Sequence, residues 1–262
     1  MGVPMKILLT NDDGFQSNSY QILGMELQKN HEVIMISPDK DCSGISHAFT
    51  LRDPVFLKEV PDHLNPLELN NFYSFSGTPV DCVKFCLLEW MKDDLPDVVI
   101  SGINPGANMG CDVLYSGTVA AAIEASLNGR PGIALSHHGL ELKSERVHEI
   151  VDWFQPKLSL LSEFLKNKQR IININYPDLS HSEIKGARVC TIGKLGYTDF
   201  YNKRTAPSGK DYYWLTGKME LDGEDPQCDK VHVENGYIAI SPLKIDFCDQ
   251  GAMVELSEIH WD

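Results

Sequence analysis

The stretch Met5-Lys6-Ile7-Leu8-Leu9-Thr10, followed at once by Asn11-Asp12-Asp13-Gly14, decides the fold of this 262-residue chain. A short, mostly apolar run predicts a buried strand, and the polar tetrapeptide predicts a turn at its carboxyl end. Ligands of open α/β sheets bind at that end of the strands. Two adjacent carboxylates repel each other unless a cation or a proton intervenes, so Asp12 and Asp13 are candidate ligands of a hard metal ion. Turn chemistry alone is the alternative interpretation.

A second strand is predicted over 97–101, and the loop that follows it is rich in glycine and asparagine. Its glycines let the backbone approach a ligand closely, and its amides supply neutral donors and acceptors. A helix is predicted to begin near residue 117, with Ser116 or Thr118 as its cap, and its free N–H groups would attract an anion. These features predict a phosphate-binding loop, while a capped loop without a ligand is the alternative. Neither Gly-Lys-Ser/Thr nor Gly-x-Gly-x-x-Gly is present, so this is no P-loop or dinucleotide fingerprint.

Strands and helices alternate along the first two thirds of the chain. This order predicts an α/β fold with a Rossmann-like, mostly parallel sheet flanked by helices, and with loops 11–16, 38–48, 76–79 and 102–116 along one edge. The predicted strands are 5–10, 32–37, 97–101, 131–136 and 170–175, with extended segments near 54–60 and 72–76, and the predicted helices are 17–29, 78–92, 117–128 and 144–166.

After about residue 186 the pattern changes to short extended segments rich in Tyr, Thr and Gly. We therefore expect a core over 1–185 and a β-rich extension over 186–262 that returns to the core. The segment 203–217 is interpreted as a hairpin that carries three adjacent aromatic residues, Tyr212, Tyr213 and Trp214. Neighbouring side chains of a strand point to opposite faces, so one subunit cannot cover all three. We expect a homo-oligomer in which this arm contacts another subunit.

Composition restricts the partners of this protein. The 42% apolar content is enough for one large core, and the net charge of −14 argues against a groove for nucleic-acid polymers. A small anion would have to be held locally, by a divalent ion and backbone N–H groups. The odd number of scattered cysteines, seven, predicts no disulfide framework or zinc cluster. With neither a signal peptide nor an apolar run of about 18 residues, we expect a cytoplasmic protein without a membrane contact.

The chain resembles the survival protein E (SurE) family of metal-dependent 5'/3'-nucleotidases along almost its whole length. The most specific part is Ser101–Thr118, where several uncommon residues coincide. The resemblance implies a metal held by Asp12, Asp13, Ser43 and Asn104, and a dimer or tetramer with an exchanged C-terminal segment. The chain departs from the family's sequence pattern at two places, Ala206-Pro207-Ser208-Gly209 and Cys228-Asp229. Both lie in the C-terminal segment, and neither affects the implied metal ligands. Further matches are Lys6–Gly14, Ser43–His47, Ser76–Pro79, the remainder of 101–136, Tyr212–Trp214 and Gly236–Leu243.

We therefore predict a phosphohydrolase that releases phosphate from nucleoside 5'- or 3'-monophosphates and uses one Mg²⁺ or Mn²⁺ ion per subunit, since hard oxygen ligands suit these ions. An additional exopolyphosphatase activity is left open. Asp12 and Asp13 are the candidate catalytic residues, and attack by water and an aspartyl-phosphate intermediate are both open. His47 lies in the same loop as Ser43, and we expect it either to contact and orient a metal ligand or to face the phosphate. The predicted phosphate- and substrate-binding residues are Gly44, His47, Asn108, Gly110, Ser116, Gly117 and Thr118.

Two other classes of function are alternatives. A non-catalytic nucleotide-binding regulatory protein would keep the same loop and fold. A Rossmann-type oxidoreductase is disfavoured because acids follow the first strand, where a pyrophosphate would need bare N–H groups. The pair His137-His138 is interpreted as ordinary polar packing, because neighbours on a strand point to opposite faces.

Overall fold

The structure is a computed structural model that describes residues 3–194, 200–217, 225–246 and 248–261. The strands are β1 (Lys6–Thr10), β2 (Glu32–Pro38), β3 (Leu57–Glu59), β4 (Phe72–Phe75), β5 (Val98–Pro105), β6 (Gly132–His138), β7 (Arg170–Pro177), β8 (Ala187–Val189), β9 (Phe200–Thr205), β10 (Asp211–Thr216) and β11 (Ile238–Lys244). The helices are α1 (Asn18–Gln28), α2 (Pro79–Phe85), α3 (Gly117–Leu127), α4 (Ser144–Phe154), α5 (Leu158–Leu165), α6 (Asp229–Glu234) and α7 (Gln250–Ser257).

Most strands belong to one sheet with the order β3-β4-β2-β1-β5-β6-β7-β11-β8. The strands from β4 to β7 are parallel to one another. At the edges, β3 runs antiparallel to β4, and β11 runs antiparallel to β7 with β8 beside it. Strands β9 and β10 form a separate antiparallel hairpin. This architecture confirms the predicted α/β fold, with its mostly parallel sheet and its C-terminal hairpin.

The sheet is buried on both faces because helices cover each side. Helices α1 and α4 pack together on one face, and α2 and α3 pack together on the other. Successive residues of β1 point to opposite faces, so Leu9 joins the core beneath α1 while Leu8 joins the core beneath α2 and α3. This two-sided burial explains why the first strand is apolar without alternation.

The chain reverses its direction of travel across the sheet at β1. Helix α1 leads from β1 to β2 on one side, whereas β5 pairs with β1 on the other side. The loops that leave β1 and β5 therefore diverge and open a crevice at the carboxyl ends of these strands, which is where ligands bind in sheets of this kind. The predicted gathering of loops along one edge is confirmed.

Some predicted elements have different bounds in the structure. The predicted helix 144–166 is divided into α4 and α5 by a short 3-10 turn, Gln155–Lys157, because Pro156 cannot donate a backbone hydrogen bond inside a helix. The predicted helix 78–92 is α-helical only over α2, Pro79–Phe85, and continues as a π-helical turn over Cys86–Trp90. Strand β5 runs beyond residue 101 to Pro105, because it pairs again with β6 after a register shift between Ser101 and Asn104.

In the C-terminal part the sequence pattern predicted a β-rich segment returning to the core, but it predicted neither the helices there nor the bounds of the strands. Helices α6 and α7 lie after the hairpin, and β11 and β8 extend the main sheet. None of the helices in the described ranges combines the length and apolar character that a membrane crossing requires.

Candidate metal and phosphate site

A cavity of about 660 Å³ opens at the carboxyl ends of β1 and β5. It brings together three of the four side chains that the family resemblance implies as metal ligands, Asp12, Ser43 and Asn104. Three of the predicted substrate-binding residues, Gly44, Asn108 and Ser116, line it too. Lining residues that the sequence analysis did not single out include Asp112, Tyr115 and Leu140, and His138, which it interpreted as ordinary polar packing, lines the cavity too.

Asp12 is held in place from the start of α3. It is buried, and it accepts hydrogen bonds from the Thr118 N–H at 3.1 Å and from the Thr118 hydroxyl. A Cβ atom at Gly117 would lie 2.9 Å from the Cβ of Asp12, so the helix approaches this carboxylate as closely as only glycine permits. The contacts of Gly117 and Thr118 are thus made to Asp12, and neither residue is among those that line the cavity.

Asp13 carries a carboxyl oxygen with no hydrogen-bond partner. Its Oδ2 atom is buried and unpaired. Burial, together with the charges of Asp12 and Asp41, raises the pKa of Asp13 to about 7. Burial also raises the pKa of Asp12, although hydrogen bonds from Thr118 oppose that rise. In the described part of the chain no Lys or Arg forms an ion pair with these carboxylates.

This donor set fits a hard cation. An unpaired buried carboxyl oxygen beside two other acids is stabilised when a positive charge binds. The described residues include no group of three or more His, Cys, Asp and Glu side chains arranged to hold a metal ion. A cation at this site would therefore need hydroxyl, amide and water oxygens in addition to carboxylates, which is the coordination that Mg²⁺ and Mn²⁺ prefer.

Ser43 and Asn104 are oriented by short local hydrogen bonds. The Ser43 hydroxyl donates to Oδ1 of Asp41 at 2.6 Å, and the Ser43 N–H donates to the same oxygen at 2.7 Å. The Asn104 amide nitrogen donates to the carbonyl of Gly106 at 2.6 Å. The Ser43 hydroxyl has thereby committed its single donor to the protein and the Asn104 amide one of its two, and the oxygen of each side chain keeps lone pairs with which it can bind a cation.

Asn108 is clamped by asparagines of β7. Its N–H donates to Oδ1 of Asn175 at 2.8 Å, and its carbonyl accepts from Asn173 at 2.8 Å and from Asn175 at 3.0 Å. Its own side-chain amide donates to the hydroxyl of Ser136 at 2.8 Å. The sequence analysis missed Asn173 and Asn175, although two asparagines at alternate positions of an otherwise apolar strand were a usable signal.

Gly110 connects the cavity loop to the C-terminal part of the chain. Its N–H donates to Oδ2 of Asp229 at 3.0 Å, while Oδ1 of Asp229 accepts from the N–H groups of Gly193 and Lys230, each at 2.8 Å. Asp229 is fully buried. Gly110 is not among the residues that line the cavity, and its predicted contact with phosphate stays a prediction.

The last two predicted residues differ in their surroundings. Ser116 is the N-cap of α3, and its hydroxyl accepts from the N–H of Val119 at 3.1 Å. His47 is not among the cavity-lining residues, and its Nε2 atom lies 2.9 Å from Oε2 of Glu124. Ser116 is thus placed where the start of α3 meets the cavity, whereas the Nε2 side of His47 is engaged elsewhere.

Fold and cavity together define an α/β protein with a candidate cation and anion site at the topological switch point of its sheet. The family model described as Survival protein SurE matches residues 7–199, and the chain belongs to this family. It is 41% identical over 254 residues to a protein named 5'-nucleotidase SurE from Caldanaerobacter subterraneus subsp. tengcongensis, with 96% of each chain covered. It is 38% identical to a protein of the same name from Flavobacterium johnsoniae, with 96% of this chain and 95% of that relative covered.

A solved structure gives the same result for the fold. The crystal structure of the SurE protein from Aquifex aeolicus superposes with a TM-score of 0.79 at 32% sequence identity, and the match covers 96% of this chain and 98% of that one. The resemblance seen in the sequence is thereby confirmed.

Proposed function

We propose that this protein is a divalent-metal-dependent phosphohydrolase that releases phosphate from nucleoside 5'- or 3'-monophosphates. The observation that carries this proposal is the convergence of Asp12, Ser43 and Asn104 on one cavity. Asp13 follows Asp12 in the chain and carries a buried, unpaired carboxyl oxygen, although it is not among the cavity-lining residues. The relatives that match nearly the whole chain are named 5'-nucleotidases, which supports the same class of reaction.

Asp12, Asp13, Ser43 and Asn104 would hold one Mg²⁺ or Mn²⁺ ion per subunit. Such an ion, when bound, supplies positive charge that neutralises phosphate oxygens and lowers the pKa of a coordinated water. The remaining work falls to the chain itself. Gly44, Asn108 and Ser116 line the same cavity. The backbone N–H groups of Asn108 and Ser116 already donate to Asn175 and Asp112, so the groups that can orient a phosphate are the Gly44 N–H, the second N–H of the Asn108 amide and the Ser116 hydroxyl.

The two carboxylates have different capacities to take part in the reaction. Both oxygens of Asp12 already accept from Thr118, so Asp12 is fixed in the wall of the cavity. Oδ2 of Asp13 accepts no hydrogen bond and is free to accept a proton. We therefore assign Asp12 the role of fixed anchor, while Asp13, which is not among the cavity-lining residues, carries the unpaired oxygen with which it would act as a general base once a water comes within hydrogen-bond distance.

The test is a phosphate-release screen with the full chain on 5'- and 3'-nucleoside monophosphates and on polyphosphate, with Mg²⁺, with Mn²⁺ and with a chelator. We expect metal-dependent release from nucleoside monophosphates that Asp12→Asn abolishes. A protein that binds AMP but releases no phosphate with either ion would be the non-catalytic nucleotide-binding regulator instead. Polyphosphate hydrolysis stays a prediction.

We further propose that the protein works as a homo-oligomer, a dimer or a tetramer, through the extension over 186–262. All side chains of the hairpin β9–β10 are exposed on the single chain, including Tyr213 and Trp214, and they leave an apolar surface that a second copy would cover. We also propose that subunits exchange this arm and that the core ends at residue 185. A cytoplasmic location is a further part of the proposed function.

A further inference from the structure

Glu124 is a buried carboxylate outside the cavity that ties three parts of the chain together. It lies in α3, is only 2% exposed, and accepts from Nε2 of His47 at 2.9 Å, from Nζ of Lys84 at 2.7 Å and from the amide of Asn128 at 2.8 Å. Burial alone would raise the pKa of this carboxyl, but these hydrogen bonds outweigh it and lower the pKa of Glu124 to about 2. An ionised carboxylate only accepts hydrogen bonds, so Nε2 of His47 is the donor.

His47 closes the loop that carries Ser43 and Gly44 into the cavity. At its start, the N–H of Cys42 donates to the carbonyl of Asp12 at 2.8 Å. At its end, the N–H of Ser46 donates to the carbonyl of Tyr115 at 2.9 Å, and His47 follows with its bond to Glu124. Between these attachments, a Cβ atom added to Gly44 would meet nothing within 4 Å, so its neighbours do not pack against it. The bonds that Ser43 donates go to Asp41 in the same segment, so they set its orientation within the loop, whereas the attachments at the two ends set where the loop lies.

We propose that His47 is a positioning residue: its hydrogen bond to Glu124 attaches the loop 43–47 to α3 and thereby holds the Ser43 hydroxyl at the metal site. This inference rests on the proposed function, since it presupposes a cation in the cavity. Helix α3 also supplies Thr118, which fixes Asp12. One helix would thus set the distance between two ligands that lie on separate loops.

Lys84 offers a matched control. It bonds the other oxygen of Glu124, Oε1, and it does so from α2, outside the loop. Removing either Lys84 or His47 takes one partner from the same buried carboxylate, so both changes lower the stability of the fold. Only the removal of His47 takes away an attachment of the loop that carries Ser43, and because the bonds of Ser46 to Tyr115 and Leu114 remain, we expect the loop to loosen without detaching.

The experiment is isothermal titration of Mn²⁺ into the metal-free full chain, with urea unfolding measured in parallel. We expect His47→Ala to weaken Mn²⁺ binding by about 10-fold, the lower end of the effect for residues that orient metal ligands. His47→Gln, whose amide can donate from nearly the position of Nε2, should recover most of the affinity. Lys84→Met should bind Mn²⁺ as the parent does, although it unfolds at a lower urea concentration. If His47→Ala does not fold, His47→Asn, whose amide is too short to reach Glu124, replaces it.

Equal Mn²⁺ affinity in the His47 and Lys84 variants would overturn the inference. So would a His47→Gln chain that binds Mn²⁺ like the parent while its KM for AMP rises as much as that of His47→Ala, because His47 would then contact the phosphate itself. A parent protein that binds Mn²⁺ but releases no phosphate would refute the proposed function and leave the binding comparison intact as a test of His47.

Discussion

Replacing Asp13 with asparagine should stabilise the metal-free protein at alkaline pH. Oδ2 of Asp13 is buried without a partner, so the substitution removes a charge without breaking a hydrogen bond at that atom. The pKa of Asp13 is about 7, against an ordinary value of 3.8. At about 1.4 kcal/mol per pKa unit, the ionised group costs the metal-free fold at most about 4.5 kcal/mol. Water reaches part of this side chain, so we expect a measured gain of about 2 kcal/mol.

The sign of the pH dependence follows from the raised pKa of Asp13. Below pH 3.8 the carboxyl is protonated in both the folded and the unfolded chain, and it contributes no difference. Between pH 3.8 and about 7 the unfolded chain has lost this proton while the folded chain keeps it, so stability falls as pH rises. The difference between Asp13→Asn and the parent should therefore be small at pH 4 and largest above pH 7.

The assay is urea unfolding of both proteins in chelator at pH 4 and pH 8, repeated at pH 8 with Mn²⁺. With Mn²⁺ at about 100 times its Kd the parent gains about 2.7 kcal/mol, and the variant, lacking a charged ligand, gains less. Asp12→Asn is the contrast, because its amide would place a donor against Thr118, which reduces or cancels the gain. A stability difference for Asp13→Asn that is absent at pH 8, or identical at pH 4 and pH 8, would refute this reasoning.

Three further predictions concern the surroundings of the cavity. Gly117→Ala should weaken Mn²⁺ binding roughly 10-fold in calorimetry. The new Cβ would lie 2.9 Å from the Cβ of Asp12 and would therefore displace that side chain. Unchanged affinity would contradict this. Asp229→Ala should lower the free energy of unfolding by about 3 kcal/mol in urea, since it leaves buried N–H groups of Gly110 and Gly193 unpaired; a loss below 1 kcal/mol on the same scale would show that other groups satisfy them. Deleting Lys203–Gly217 should reduce the mass found by light scattering and leave Mn²⁺ binding intact, and an unchanged mass would exclude the hairpin from assembly.

Much of the fold was predictable because its signals are local. The apolar run before Asn11 marks β1, and the glycines and the cap near Ser116 mark the start of α3, each within a few residues of the element concerned. The gathering of loops at one edge followed from the alternation of strands and helices, because crossover connections place the carboxyl ends of parallel strands together. Helix breaks and strand ends were less accurate. Pro156 ends α4, but the second pairing of β5 with β6 is a tertiary event that no local pattern records.

Several residues of the candidate site were indicated by the local sequence, whereas the partners that hold them were not. Asp12 and Asp13 could be singled out from a turn after a strand, and residues 102–118 from their composition. The partners that hold them lie far along the chain: Thr118 is 106 residues from Asp12, Asp229 is 119 from Gly110, and Glu124 is 77 from His47. A local pattern carries no information about which distant residue comes within 3 Å, because that depends on strand order, register and the approach of α3 to β1. Residue types and their local order thus indicated the chemistry, while the packed sheet and its helices alone determined which side chains hold it in place.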